Sequence, residues 1–171
     1  MSLKQYTKKR KEQVLPALSA YTKKRKFSGK GKTTEPKGNI KTAKTKKLIF
    51  VVHDHHASHH HYDLRLEMNR VLRSWAVPKS PLELSKKGVK RLAIQVEDHP
   101  LEYARFQGTI PEGNYGAGKV EIFDKGEYLL KNETPNKIEF ELKGKKLKGN
   151  YVLIKTHYRS KPDKSWLWFK V

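Results

Sequence analysis

His61-Tyr62-Asp63-Leu64-Arg65-Leu66-Glu67 alternates polar and apolar residues at every step. In an extended chain His61, Asp63, Arg65 and Glu67 share one face, while Tyr62, Leu64 and Leu66 share the other. A helix would scatter both sets around its circumference, so the period of two predicts a strand with one apolar and one chemical face. Working outward, short runs of β-branched and aromatic residues separated by turn signals predict further strands near 48–53, 71–77, 90–97, 103–108, 118–124, 137–142, 150–156 and 165–171. Ile138, Phe140 and Leu142 alternate with Lys137, Glu139 and Glu141, and Trp166 and Trp168 with Leu167 and Phe169. No long amphipathic helix emerges. Many short strands in one small domain imply a mainly all-β fold, a small antiparallel β-barrel whose closure removes exposed edges.

The chain has 171 residues, enough for one domain with a core. It has no cysteine, so thiolate metal sites, disulfides and Cys nucleophiles are excluded and any metal must use His, Asp or Glu. No apolar run approaches the ~18 residues that a membrane span needs. The N-terminus has no apolar stretch behind its charges, which points to a cytoplasmic, intracellular protein without a membrane partner. The net charge is +21, and residues 1–47 hold sixteen Lys and Arg against Glu12 and Glu35. That segment reads as a basic, partly irregular and partly flexible N-terminal arm ahead of a barrel domain at 48–171. Within it Tyr6-Thr7-Lys8-Lys9-Arg10-Lys11 returns as Tyr21-Thr22-Lys23-Lys24-Arg25-Lys26. A basic field of this size attracts polyanions, nucleic acid first among them.

Six of the eight histidines lie between His53 and His61. They run into the alternating strand, where a purification tag would stand in a featureless terminus. Strand residues i and i+2 lie ~6.6 Å apart, so His61 and Asp63 can reach one ion, joined by His55 from the preceding turn. Two imidazoles and a carboxylate suit Mn²⁺, Zn²⁺, Fe²⁺ or Co²⁺. Arg65, one step on, would face a bound anion. Gly113 to Lys119 has P-loop spacing, but Val120 stands where Ser or Thr should hold Mg²⁺, and a strand follows instead of a helix. A glycine-rich loop between strands is the simpler reading. His99, beside Glu97 and Asp98, reads either as part of a salt-bridged turn or as a proton donor or anion ligand.

Phe50-Val51-Val52, His55, the block His61 to Glu67, Ser74-Trp75-Ala76-Val77-Pro78-Lys79, Arg91 to Pro100 and Ile110-Pro111-Glu112-Gly113 together resemble the 3′-phosphoesterase domain of bacterial DNA ligase D, which also occurs as stand-alone proteins. The resemblance covers roughly residues 20 to 171. It implies a small β-barrel with Mn²⁺-dependent activity, Co²⁺ or Zn²⁺ being alternatives, that removes a 3′-terminal ribonucleoside and then the 3′-phosphate. By motif it makes His55, His61 and Asp63 metal ligands and assigns Arg65, His99 and Tyr103 to the scissile phosphate, with Lys79 and Arg91 in phosphate handling. In one straight strand Arg91 would lie ~26 Å from His99, so both could share a site only through a bend. Arg25, Glu35, His53 and Glu97 form a supporting, nucleic-acid-facing set. Arg25-Lys26-Phe27 and Thr34-Glu35-Pro36 stand for the family's Arg-Asp-Phe and Glu-Pro elements, with lysine replacing the acid at Lys26. His53 replaces the family's usual Gln.

The expected substrates are nucleic-acid 3′ ends at primer-template junctions or nicked duplexes. The expected associates are a separate ligase, polymerase or end-binding protein. The competing reading is a noncatalytic nucleic-acid-binding β-barrel with a structural metal.

Overall fold

Each alternating segment forms a strand in the computed structural model, which describes residues 16–38, 47–156 and 164–171. The strands are β1 (Leu48–His56), β2 (His61–Met68), β3 (Val71–Val77), β4 (Lys90–His99), β5 (Gly108–Ile110), β6 (Gly118–Thr134), β7 (Lys137–Lys143), β8 (Lys148–Lys155) and β9 (Ser165–Lys170). They run antiparallel in the order β1-β2-β3-β4-β9-β8-β7-β6, and β6 returns to pair with β1. The result is a closed eight-stranded barrel with β5 added outside β6. The short helix α1 (Ser19–Lys23) precedes it. Among the described residues no helix is long and apolar enough to cross a membrane. The first copy of the basic repeat, Tyr6 to Lys11, lies outside the described residues.

The alternation decides what fills the barrel. Phe50 and Val52 of β1, Leu64 and Leu66 of β2, Trp75 of β3, Ile138 and Phe140 of β7 and Trp166 and Trp168 of β9 are all at most 1% exposed and form one cluster. Truncating such an aromatic to Ala typically costs ~3–5 kcal/mol, so this core, not surface charge pairing, carries the stability. The opposite face of β1 to β3 is covered too. Val51 and Leu72 pack there with Tyr21 of α1 and with Tyr103 and Ala104.

Several segments differ from the sequence expectation: β1 runs three residues past 53, so His55 sits on the strand opposite His61 and not in a turn, and Gly108–Ile110 is a separate short strand. Leu101–Arg105 is a 3-10 turn, not a strand from 103, because Pro100 closes β4 and the Tyr103 and Phe106 amides bond back to the Pro100 and Tyr103 carbonyls. β6 runs on to Thr134, ten residues past the expected end, because Tyr128 and Leu130 continue the inward positions among charged neighbours.

Three bulges interrupt the alternation among the described strands, one of them between Leu130 and Asn132 of β6, and the other two bear on the site. Val52 pairs with Asp124 but His53 with Ile122, which leaves Phe123 as an extra residue on β6. Ser74 pairs with Val96 but Leu72 with His99, so β4 carries an extra residue before His99. In β4 Ala93 belongs to the barrel core, and without the bulge His99, of the same parity, would point there too. The bulge turns His99 to the outer face.

Gly118 joins β6 to the end of β1 with φ +138°, and a Cβ there would lie 2.1 Å from the His56 carbonyl oxygen. Backbone cannot yield to it as a flexible side chain would. Gly118→Ala is expected to cost about 2–4 kcal/mol in urea unfolding; a loss under ~0.5 kcal/mol would contradict this close approach.

Candidate active site

The outward residues of β1 and β2 are direct cross-strand partners: His55 opposite His61, His53 opposite Asp63, Val51 opposite Arg65. Such partners hold their side chains within contact range on one face. His55 Nδ1 lies 3.5 Å and His61 Nε2 3.6 Å from Asp63 Oδ2. One ligand atom from each of the three falls within 4.8 Å of the others. Each imidazole is fixed through its other nitrogen: His55 Nε2 donates to the Gly116 carbonyl at 2.8 Å, and His61 Nδ1 to the His59 carbonyl at 2.8 Å. These bonds select the tautomers that leave His55 Nδ1 and His61 Nε2 as lone pairs facing Asp63, the arrangement a metal-binding imidazole requires. Two nitrogens and an oxygen so aimed fit a divalent transition ion with open coordination positions.

Arg65 lies next to this triad and is only 3% exposed. Its Nη2 bonds Asp63 at 3.1 Å, its Nη1 bonds Ser74 Oγ at 2.9 Å, and its Nε donates to His53 Nδ1 at 3.2 Å. His53 Nε2 in turn donates to the Phe106 carbonyl. One acceptor and one donor are what a Gln amide would supply, so this histidine replaces an amide without changing the bonding pattern. Tyr103 covers the Arg65 guanidinium with its ring at 4.7 Å.

The N-terminal segment supplies the far wall. Arg25 bonds Glu35 at 2.8 Å and Glu97 at 3.0 Å, its side chain 4% exposed, and its Nη2 lies 3.2 Å from His99 Nε2. Glu35 also accepts from Tyr103 and Thr33. His99 Nδ1 lies 2.9 Å from the Glu97 carbonyl, so that nitrogen carries the proton and Nε2 accepts from Arg25. The walls enclose a cleft of about 340 Å³, within the ~300–1,000 Å³ common for ligand sites.

Burial, reinforced by the Arg65 charge, lowers His53 to about 3. Burial, with Arg65 and Arg25 alongside, likewise holds His99 well below its ordinary value. Burial pushes Asp63 upward, but Arg65 and the two histidines outweigh it and keep the carboxyl well below the usual range. Burial raises the Tyr103 phenol well above 10, so it stays protonated and donates to Glu35.

Ten of the twelve sequence-derived site residues line the cleft or contact its lining directly, among them Glu97 through Arg25 and His53 through Arg65. His61, at the edge of the donor triad, is its most exposed member. Lys79 is exposed beyond β3 and outside the lining. Arg91 is also outside it: it faces Trp168 across β4 and β9, on the barrel-core side, and pairs with Glu83 and the Ser80 carbonyl. The straight-strand separation from His99 is therefore not bridged, because the bulge turns His99 away from Arg91. Sequence reading missed Ser74, a wholly buried hydroxyl between Arg73 and Trp75 that aligns the Arg65 fork. It also missed Tyr115, half exposed at the rim, whose signal was an aromatic in a glycine loop.

Residues 53–155 match the family model described as the DNA Ligase D 3′-phosphoesterase domain. The chain is 44% identical over 160 residues to the multifunctional non-homologous end joining protein LigD of Pseudomonas aeruginosa, covering 90% of the chain and 18% of that protein. It is 42% identical over 146 residues to the Mycobacterium bovis protein of the same name, covering 83% and 19%, and 39% identical over 165 residues to that of Mycolicibacterium smegmatis, covering 89% and 20%. The chain thus spans about a fifth of the length of these curated relatives. On the family match and on identity across most of its length, this chain belongs to the DNA ligase D 3′-phosphoesterase domain family.

Proposed function

We propose that the protein is a metal-dependent hydrolase of nucleic-acid 3′ ends, removing terminal ribonucleosides and 3′-phosphates to leave a 3′-hydroxyl. The observation that carries this reading is the convergence of two carbonyl-anchored imidazoles and Asp63 beside the buried Arg65. In this reading His55, His61 and Asp63 hold the ion, Mn²⁺ in first place with Co²⁺ or Zn²⁺ as substitutes. The bound ion supplies Lewis acidity toward a phosphoryl oxygen. Arg25 and Arg65 balance Glu35 and Asp63 in the lining, so a divalent ion leaves an excess of two positive charges. That excess matches a terminal phosphate dianion.

Arg65, locked on three sides, stabilises charge on the phosphoryl oxygens without reorganising. In phosphate removal a phosphate dianion beside His99 favours its protonated form, which lets Nε2 donate to the departing 3′ oxygen as water bonds to phosphorus and the P–O3′ bond breaks; in ribonucleoside removal the bond broken is P–O5′ and the proton goes to the departing 5′ oxygen. Tyr103 and Arg25 hold the phosphate, Glu35, Glu97 and His53 hold those groups in place, and Tyr115 offers a ring for the terminal base. Lys79 and Arg91 stand away from the reacting atoms. Residues 48–171 are the catalytic barrel, and the basic segment 1–47 is its nucleic-acid-facing arm. The ends served are primer-template or nicked duplex ends in end joining, with a ligase, polymerase or end-binding protein as the next enzyme or partner.

The test uses one primer-template ending in a single ribonucleotide and another ending in a 3′-phosphate, each with Mn²⁺ and with chelator. Conversion to 3′-hydroxyl is expected with Mn²⁺ alone, and Arg65→Lys is expected to reduce it by ~10²–10³-fold. Chelator, His61→Ala and Asp63→Ala should abolish it. Full metal-dependent activity in Asp63→Ala would remove the assignment. Salt-sensitive binding with no conversion would favour a noncatalytic nucleic-acid-binding barrel.

A second expectation concerns pH. An unfolded histidine takes its proton near pH 6.5, but folded His53 resists until about 3. Between those values the unfolded chain binds more protons, so stability falls as pH falls, by up to ~1.4 kcal/mol per pH unit for each such histidine. His99 acts in the same direction. With chelator present, the urea midpoint is expected to drop from pH 7 to pH 5, and His53→Gln should drop less steeply. Equal slopes would show that His53 is not held neutral.

A further inference from the structure

The β1–β2 hairpin carries a second donor cluster on its other side. Asp54 and His56 have the parity of Phe50 and Val52, so they point toward the barrel side where His53 and His55 point outward. At the end of β1 that side has become the open rim: Asp54 is partly buried, and the His56 and His60 side chains are about half exposed. His60 comes from the connecting turn. Its Nε2 lies 2.5 Å and His56 Nε2 3.3 Å from the same oxygen, Asp54 Oδ1. The two imidazoles stack at 4.3 Å with only 9° between their planes, which places both Nε2 atoms beside the same carboxylate oxygen; a shared ion lying in both ring planes needs one ring to tilt. One ligand atom from each of the three lies within 4.8 Å of the others.

We propose that Asp54, His56 and His60 form a second divalent-metal site of the zinc class, separate from the cleft and structural in role. Tetrahedral ligand atoms at ~2.0–2.1 Å from Zn²⁺ stand ~3.3 Å apart, which the Asp54–His56 separation already meets and the Asp54–His60 pair reaches by a small opening. Two imidazoles and one carboxylate are donors of the borderline-soft kind that Zn²⁺ takes, and the exposed rim leaves its fourth position to water. The surrounding field does not oppose a cation. Lys119, the cross-strand partner of His56, is ion-paired at 2.9 Å with Glu121, the cross-strand partner of Asp54. The His60 ring also leans on Tyr62 at 5.3 Å, and Tyr62 on Phe123 at 5.2 Å, so the cluster is anchored to the core.

What the ion would hold is the turn of residues 57–60. Ala57, Ser58 and His59 of that turn line the cleft, and the His59 carbonyl fixes the His61 tautomer. An ion clamping His56 at one end of the turn and His60 at the other sets the position of that carbonyl. Asp54, His56 and His60 are therefore positioning residues for His61.

The full chain, stripped of metal and freed of chelator, is titrated with Zn²⁺ against a competing chromophoric indicator. Near-ultraviolet circular dichroism checks that each variant is folded. Two equivalents are expected for the parent, one for His56→Ala/His60→Ala and one for Asp63→Asn; His60→Leu, which keeps side-chain volume, should weaken only one equivalent, by at least ~10-fold. If the folded His56→Ala/His60→Ala variant binds the same number of ions as the parent with unchanged affinities, the rim site does not exist and Asp54–His60 is only a hydrogen-bonded pair. One equivalent in the parent, lost in the rim variant and kept in Asp63→Asn, would uphold the rim site and sink the cleft assignment instead.

Discussion

Two guanidinium groups buried on the outside of a β-barrel impose the strictest condition on this structure. A buried cation whose partner is removed costs ~3–5 kcal/mol, so each of Arg25 and Arg65 must be fully bonded. Arg65 takes Asp63 from its own strand, Ser74 from β3 and His53 from β1. Arg25 takes Glu35 from its own segment and Glu97 from β4. Between them they draw together four neighbouring strands and the chain that precedes the barrel. His99 touches both, with Nδ1 3.0 Å from Arg65 Nη1 and Nε2 3.2 Å from Arg25 Nη2. Two flanking cations in a dry site keep its ring neutral.

That condition explains why the cleft lies outside the barrel. The interior is filled by large aromatic and aliphatic side chains at close packing and leaves no room for a cluster of charges. The outer face of β1 to β4 can hold charge, and where a covering segment excludes water those charges must be paired at contact distance. Residues 16–38 are that segment: Tyr21 is wholly buried against Tyr103 and His99, its hydroxyl bonds the Pro36 carbonyl at 2.5 Å, and Thr34 ties the segment to β5 through the Thr109 carbonyl. The same residues exclude water and bring the counter-charges.

The parts of the fold legible in the sequence were those governed by the period of two. Leu64 and Leu66 against Asp63 and Arg65, Ile138 and Phe140, and Trp166 and Trp168 all face as alternation requires. The donor triad was legible for the same reason, since His61 and Asp63 are i and i+2 on one strand. His99 was not, because a bulge adds one residue to β4 and reverses its side, and nothing in Glu97-Asp98-His99 announces a bulge. Arg25 and Glu35 were readable only through family resemblance. Their partners stand far along the chain, and a lysine-rich segment by itself gives no sign that one of its cations is buried.

A basic arm of this kind serves two electrostatic ranges at once. The described lysines of the arm, Lys23, Lys24, Lys26, Lys30, Lys32, Lys37 and Lys47, are exposed, and their field reaches about a Debye length, ~8–10 Å in physiological salt, which attracts polyanions without choosing among them. Arg25 is withdrawn from that field, because Glu35 and Glu97 neutralise it at contact distance. Long-range attraction and contact-distance pairing therefore use different residues: the exposed lysines make the first, and Arg25, like Arg65 of β2, makes the second. Salt acts on the first and hardly reaches the second, since charges buried among their own partners are little screened.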